Sequence, residues 1–252
     1  MGRPRHSDCT HPTLSLHRHF HRWKDEPPEK SEATSRPCKI LATRFNAWYA
    51  KEGDPLLNAL AIRRKAEREA LCVSWPETAI IHAKTVSQLY VGSSVGRLFD
   101  IGLTLHPIYG VPYIPASGIR GAVQHWAGEA GYEGVTDWFG SEREQSPVWI
   151  GDAFPLPGFK VREGILTKHH ASYYEGAEPG PPADWEVPAP VAFLTVKAGA
   201  EFEFVVGARP PEGERPGASL TDVEQLVAET LAFAGLGAKT RKGYGLFEIV
   251  SR

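Results

Sequence analysis

Cysteine is scarce in this sequence. Cys9, Cys38 and Cys72 are odd in number and show no Cys-x-x-Cys spacing. That argues against a disulfide framework or a thiolate zinc site, and a reduced cytoplasmic protein is the simplest expectation. No apolar run approaches the roughly 18 residues that span a bilayer, and no signal-type apolar segment follows the basic start, so no membrane partner is expected. A surplus of one charge is missing too: the net charge is −2 and the pI about 6.6. Without a protein-wide field, any binding of nucleic acid would have to come from a concentrated patch or a larger assembly. No repeat recurs at a short fixed period, and no D-x-D pair offers a divalent-cation site, since Asp100 and Asp152 stand alone. Asp152, between Gly151 and Ala153, is expected to make a structural hydrogen bond at a strand end. What is plentiful is apolar material: 42% of the 252 residues, with seven tryptophans and eleven phenylalanines, enough for one large domain or two small ones.

Acid is missing locally as well, and what stands there instead is the most informative stretch of chain. Between Glu229 and Glu248 lies Gly235-Leu-Gly-Ala-Lys-Thr-Arg-Lys-Gly-Tyr-Gly245, with four glycines and the cations Lys239, Arg241 and Lys242. Glycines let the backbone take positive φ and approach another surface closely. Backbone amides with lysine and arginine suit a chain of phosphates. A second segment, His106-Pro-Ile-Tyr-Gly-Val-Pro-Tyr-Ile-Pro-Ala-Ser-Gly-Ile-Arg-Gly121, is a turn-rich approach to a helix starting near Ser117. Ser117 is the expected N-cap. Arg120 in the first turn does not favour the helix dipole, which makes sense if arginine and free amides face one anion. The competing reading is a capped helix with a solvated arginine.

Other chemistry is weighed against blander structure. Gly92-Ser-Ser-Val-Gly96 matches the hydrolase elbow, but a strand rather than a helix is expected after it. A Walker loop needs glycine directly before its lysine, and Ala238 stands there. His6, His11, His17, His19 and His21, with Cys9, fit no closed metal site, so no metal and no cofactor is expected. His82, His106, His169 and His170 remain candidates for acid–base cleavage of RNA, with His106, His169, His170 and Tyr173 alternatively stacking on bases or touching a partner.

Along the chain, residues 1–39 read as a polar tail and 40–75 as a helical segment. There Asp54-Pro55 opens a basic helix through Arg63, Arg64, Lys65 and Arg68, read either as solvated or as facing a partner or RNA. From residue 76, short strands (79–86, 88–91, 98–105, 149–154, 193–196, 201–206 and 246–250) alternate with helices at 117–130 and from 221, the latter opened by a Thr221–Glu224 capping box. Residues 176–190 are a proline-rich insertion. This order predicts an α+β chain with a ferredoxin-like (RRM-like) core.

The run Pro112-Tyr-Ile-Pro-Ala-Ser-Gly-Ile-Arg-Gly-Ala resembles the P-x-I-P-G-S-S-I-K-G segment of the RAMP superfamily of CRISPR proteins. The run 235–245 resembles its C-terminal glycine-rich loop. Trp149-Ile-Gly-Asp-Ala-Phe, Thr167-Lys-His-His-Ala-Ser-Tyr-Tyr and Pro188-Ala-Pro-Val-Ala-Phe-Leu-Thr-Val resemble one subgroup, the sixth Cmr subunits of type III-B effector complexes. The likeness covers about residues 75–252. It departs at Ala116-Ser-Gly, where the family more often has Gly-Ser-Ser. The resemblance implies a non-catalytic, structural RNA-binding subunit that ends the backbone near the 3′ end of the guide RNA. It implies guide RNA, target RNA and other Cmr subunits as partners: backbone RAMP subunits, the small helical subunit and the first subunit. Ser117, Arg120, Gly237, Lys239, Thr240, Arg241, Lys242, Gly243 and Tyr244 are the RNA contacts it implies. Because the superfamily includes metal-independent endonucleases that process guide RNA, such an enzyme is the alternative.

Overall fold

The computed structural model describes residues 35–50, 54–73, 75, 77–92, 102–132, 135–140, 145–168, 188–211 and 217–251. The histidine-bearing segment before Ser35, Asp100, His169, His170, Tyr173 and residues 93–96 of the glycine-serine loop lie outside them. Helix α1 spans Ser35–Trp48 and α2 spans Asp54–Leu71. Strand β1 (Glu77–Thr85) leads through turns to α3 (Ala116–Glu129). After a 3-10 turn at Val135–Phe139 come β2 (Val148–Ile150), β3 (Phe154–Pro155), β4 (Val161–Lys168), β5 (Ala189–Val196) and β6 (Glu201–Ala208). Helix α4 (Leu220–Glu229), a π turn at Thr230–Ala234, a 3-10 turn at Thr240–Lys242 and β7 (Phe247–Ser251) complete the order. The chain is α+β.

The main sheet is antiparallel in the order β2, β6, β1, β7, with β3 also pairing with β6. Ile81 faces Phe204, His82 faces Glu203, and Thr85 faces Phe247. Alternation along the strands decides the faces. Ile81, Ala83, Phe202, Phe204 and Phe247 are buried with Ile119, Val123 and Ala127 of α3 and Val223, Leu226 and Val227 of α4. Leu231, expected on the inward face of the last helix, is buried in the π turn that follows it. His82, Lys84, Glu201 and Glu203 point the other way and are half-buried or exposed. Over that polar face lies α2, whose Arg68 donates to Glu203 at 2.6 Å while Arg64 donates to the Asp152 carbonyl at 2.9 Å. Two of the four cations read as solvated or partner-facing therefore dock their own helix instead.

β4 and β5 form a separate ribbon covered by α1. Cys38, Leu41 and Phe45 are buried there, and the Asn46 amide bonds the Val161 backbone in both directions at 2.8 Å, satisfying the ribbon edge as a strand would. α1 therefore begins at Ser35, inside the span read as a polar tail. Two caps also differ from expectation. Pro115, not Ser117, precedes α3, with no side-chain cap bond of its own, and Ser219 rather than Thr221 caps α4, accepting from the Asp222 amide at 3.2 Å.

Candidate nucleic-acid interface

The glycine-rich segment begins where the π turn after α4 ends, at Gly235 with φ 72°. Its two ends are tied together: the Leu236 amide donates to the Gly245 carbonyl at 2.8 Å. A Cβ at Gly245, whose φ is 73°, would stand 1.9 Å from the Leu236 oxygen, so no side chain fits. The closed loop docks on residues 88–90, with the Ala238 amide on the Tyr90 carbonyl at 2.7 Å and the Gly245 amide on the Gln88 carbonyl at 2.8 Å. Gly237, with φ 89°, is needed for that approach, because a Cβ there would meet the Tyr90 oxygen at 2.4 Å. Gly243 differs: its added Cβ would meet nothing within 4 Å, and its amide is taken up by the Thr240 carbonyl at 2.8 Å.

At the tip, Lys239 adopts left-handed backbone, φ 65°, and the 3-10 turn through Lys242 follows. Its ammonium stands 5.6 Å from the centre of the Phe193 ring and 5.9 Å from that of Tyr90. These two rings are 4.5 Å apart, and Tyr244 joins Phe193 at 5.8 Å. Such contacts steady a cation by the ring quadrupole. Gly164, opposite Phe193 on the ribbon, makes room for this floor: a Cβ there would meet the Phe193 ring at 2.9 Å. Lys239, Arg241 and Lys242 are exposed, Tyr244 and Thr240 half-buried, and none of the ion pairs among the described residues involves these three cations. The loop therefore presents three positive charges that no carboxylate among the described residues compensates, on a backbone tied at both ends.

The start of α3 is built otherwise. The Asp152 carboxylate accepts from the Ala116 amide at 2.7 Å, placing an anion at the helix N-terminus that the dipole favours. The expected structural role of Asp152 is thus what its geometry shows. Arg120 donates to the Phe139 carbonyl and lies 5.9 Å from the Phe139 ring centre. Ser117 is exposed on the first turn. No hydrogen bond, ion pair or ring contact among the described residues joins Ser117 or Arg120 to the 235–245 loop.

His106 sits in a turn, its Nδ1 accepting from the Ile108 and Tyr109 amides, both at 3.3 Å, with Tyr109, Tyr113 and Phe154 around the ring. Burial lowers its pKa from the ordinary histidine value; the Asp152 charge opposes this and the Arg63 charge reinforces it. His82 has a partner that sequence reasoning missed: Nδ1 lies 3.2 Å from Glu201 and Nε2 4.0 Å from Glu203. Register across β1 and β6 makes that pairing, and no sequence spacing reveals it. Among the described residues no cluster of three metal-ligand side chains occurs, and no helix is long and apolar enough to cross a membrane.

Comparison with known proteins gives this geometry a family. The model of the RAMP superfamily matches residues 82–248, from β1 through the glycine-rich loop into β7. The CRISPR system CMR subunit Cmr6 of Saccharolobus solfataricus is 29% identical over 173 residues, covering 67% of this chain and 56% of that protein. Cmr6 of Pyrococcus furiosus is 27% identical over 228 residues, covering 64% of this chain and 65% of the other. The chain thus spans less than two thirds of the length of these relatives. Among solved structures, a chain of the type III-B Cmr-beta complex bound to cognate target RNA superposes with a TM-score of 0.56 at 24% identity, over 77% of this chain and 65% of that one, a likeness of fold.

Proposed function

The chain belongs to the RAMP superfamily, and from that membership and its similarity to Cmr6 proteins we propose that it is a structural RNA-binding subunit of a type III-B CRISPR ribonucleoprotein. In this reading it ends the subunit backbone near the 3′ end of the guide RNA, supports interference with target RNA, and acts in the cytoplasm beside the backbone RAMP subunits, the small helical subunit and the first Cmr subunit. The names of the two relatives support the assembly. A ferredoxin-like core in residues 76–252 is supported by the sheet order β2, β6, β1, β7 with α3 and α4 packed on one face.

The carrying observation is the loop at 235–245, whose exposed Lys239, Arg241 and Lys242 are in no ion pair among the described residues and stand on a backbone fixed at both ends. Each cation meets a phosphate, and Tyr244 packs a sugar or base beside Lys239. Contacts of this kind hold RNA by its backbone and leave sequence to base pairing. The binding role supports a non-catalytic subunit: His106 spends its Nδ1 on two amides, and His82 faces carboxylates on the opposite side of the sheet from α3 and α4.

The test is a reconstituted complex carrying Lys239→Ala, Arg241→Ala and Lys242→Ala together. Guide RNA content per complex should fall, similarly for guides of different sequence, and unchanged content would sink the reading. In parallel, repeat RNA incubated with the protein in EDTA should remain intact, and His82→Ala should leave target cleavage by the complex within a fewfold. A general acid or base contributes about 10²–10⁴-fold, so a loss of that size with guide content unchanged would make this chain an enzyme.

A further inference from the structure

We propose that the face of the β4–β5 ribbon bearing Lys160, Arg162 and Lys197 is a second phosphate-binding station, over which the guide strand continues from the glycine-rich loop; this rests on the reading of that loop as an RNA contact. Val161 pairs with Val196, and the Lys197 amide donates to the Lys160 carbonyl at 2.8 Å, which extends the ladder by one more pair of residues. Side chains alternate along a strand. Val161 and Val196 turn toward α1 and are buried. Lys160, Arg162 and Gly164 on one strand therefore share the opposite face with Lys197, Thr195 and Phe193 on the other. Phe193 belongs to the floor under Lys239, so the ribbon cations and the loop cations stand on one side of the molecule.

Two observations ask for an anion on this face. Lys160, Arg162 and Lys197 are all exposed, and none of the ion pairs among the described residues involves them. The acids closest to them in sequence are engaged elsewhere: Glu163 with Lys39 of α1 at 3.9 Å, and Glu201 with His82 at 3.2 Å. In addition, Lys160 and Lys197 stand directly opposite each other, where like charges destabilise a sheet. A phosphate between them turns that repulsion into attraction, and Arg162 can take a second phosphate through two parallel bonds. The station is also joined to the loop. Leu89 and Val196 exchange backbone bonds at 3.0 and 2.9 Å, and the Thr195 hydroxyl lies 3.0 Å from Gln88 Oε1 and 3.2 Å from the Arg162 carbonyl. The Gln88 carbonyl in turn holds the Gly245 amide. β4 is thus two strand spacings, about 10 Å, from the segment that carries the loop, close enough for one RNA strand to touch both. Contacts to its backbone position the strand without reading sequence.

The test measures the salt dependence of guide binding by the assembled complex, with the two sets of cations changed separately. Lys160→Ala/Arg162→Ala/Lys197→Ala should flatten the slope of log K against log salt by about 2, at about 0.7 per phosphate contact. Combined with the triple variant of the loop, the change should reach about 4. Arg162→Lys, which keeps the charge, should leave the slope as it is. In the isolated chain, Lys197→Glu should raise the melting temperature by about 1–2 °C by ending the repulsion, while guide retention in the complex falls. Guide RNA containing thiouridine should cross-link under ultraviolet light to residues 160–162. An unchanged slope in the ribbon variant, with that of the loop variant flattened, overturns the station and leaves the loop its role. Unchanged slopes in both overturn the loop's role as well. A ribbon variant that loses a protein subunit at unchanged slope gives the face to that protein and overturns the proposal too.

Discussion

Two segments of this molecule carry the same kind of sequence, glycines and cations beside a helix end, and the folded chain uses them in opposite ways. At the start of α3 the positive groups are answered from within: the Ala116 amide by Asp152 and the Arg120 guanidinium by the Phe139 carbonyl. In the 235–245 loop the backbone is answered from within, by Gln88, Tyr90 and the loop's own ends, while the cations are left outward. A basic residue near backbone amides thus remains a candidate anion site only when no carbonyl or carboxylate of the same chain reaches it first. Such partners stand far away in sequence, 36 residues for Asp152 and Ala116.

The largest effect should come from destroying the frame that presents the cations. Gly245→Val adds a side chain where a Cβ already stands 1.9 Å from the Leu236 oxygen and where φ is 73°. We expect a loss of stability of about 2 kcal/mol or more and loss of guide retention, read by thermal melting and RNA content. Gly243→Ala, also at positive φ but meeting nothing within 4 Å, should cost about 1 kcal/mol of strain and keep the RNA. Equal effects of the two would mean that the close approach at Gly245 is unimportant.

A smaller effect belongs to α3. Asp152→Ala removes the carboxylate from the helix start and should cost about 0.5–2 kcal/mol, partly restored by Asp152→Asn, whose side-chain oxygen still accepts. Smaller again, Arg120→Ala should cost about 1 kcal/mol through its lost bond to Phe139 and leave the salt dependence of RNA binding unchanged. A flatter salt dependence in Arg120→Ala would erase the contrast between the two segments by placing this arginine on RNA.

Much of the fold was legible because it is written in local periodicity. The apolar spacing of Ile119, Val123 and Ala127 gave α3 to within a residue at each end, and Gly131, φ 75°, stands just past it as expected. Where long-range bonds decide, the sequence pattern misled. Residues 88–91 have the composition of a strand but form only a bridge at Leu89, because the Gln88 and Tyr90 carbonyls serve the glycine-rich loop. The expected strand 149–154 is split at Gly151–Asp152, where Asp152 binds α2 and α3 instead. β4 escaped notice: Arg162, Glu163 and Gly164 interrupt its apolar pattern, and its edge is completed by Asn46 from α1. For the candidate site, the cations and glycines were visible at once. The aromatic floor under Lys239 was not, since Tyr90 and Phe193 come from segments a hundred residues apart.

The most direct test of the loop's role is the salt dependence of guide-RNA binding by the assembled complex, with wild type compared to Lys239→Ala/Arg241→Ala/Lys242→Ala. Each phosphate contact on a single strand contributes about 0.7 to the slope of log K against log salt, so losing three should flatten it by about 2. A slope unchanged in the triple variant, with the complex intact, would leave these three cations as a solvated face and contradict the account.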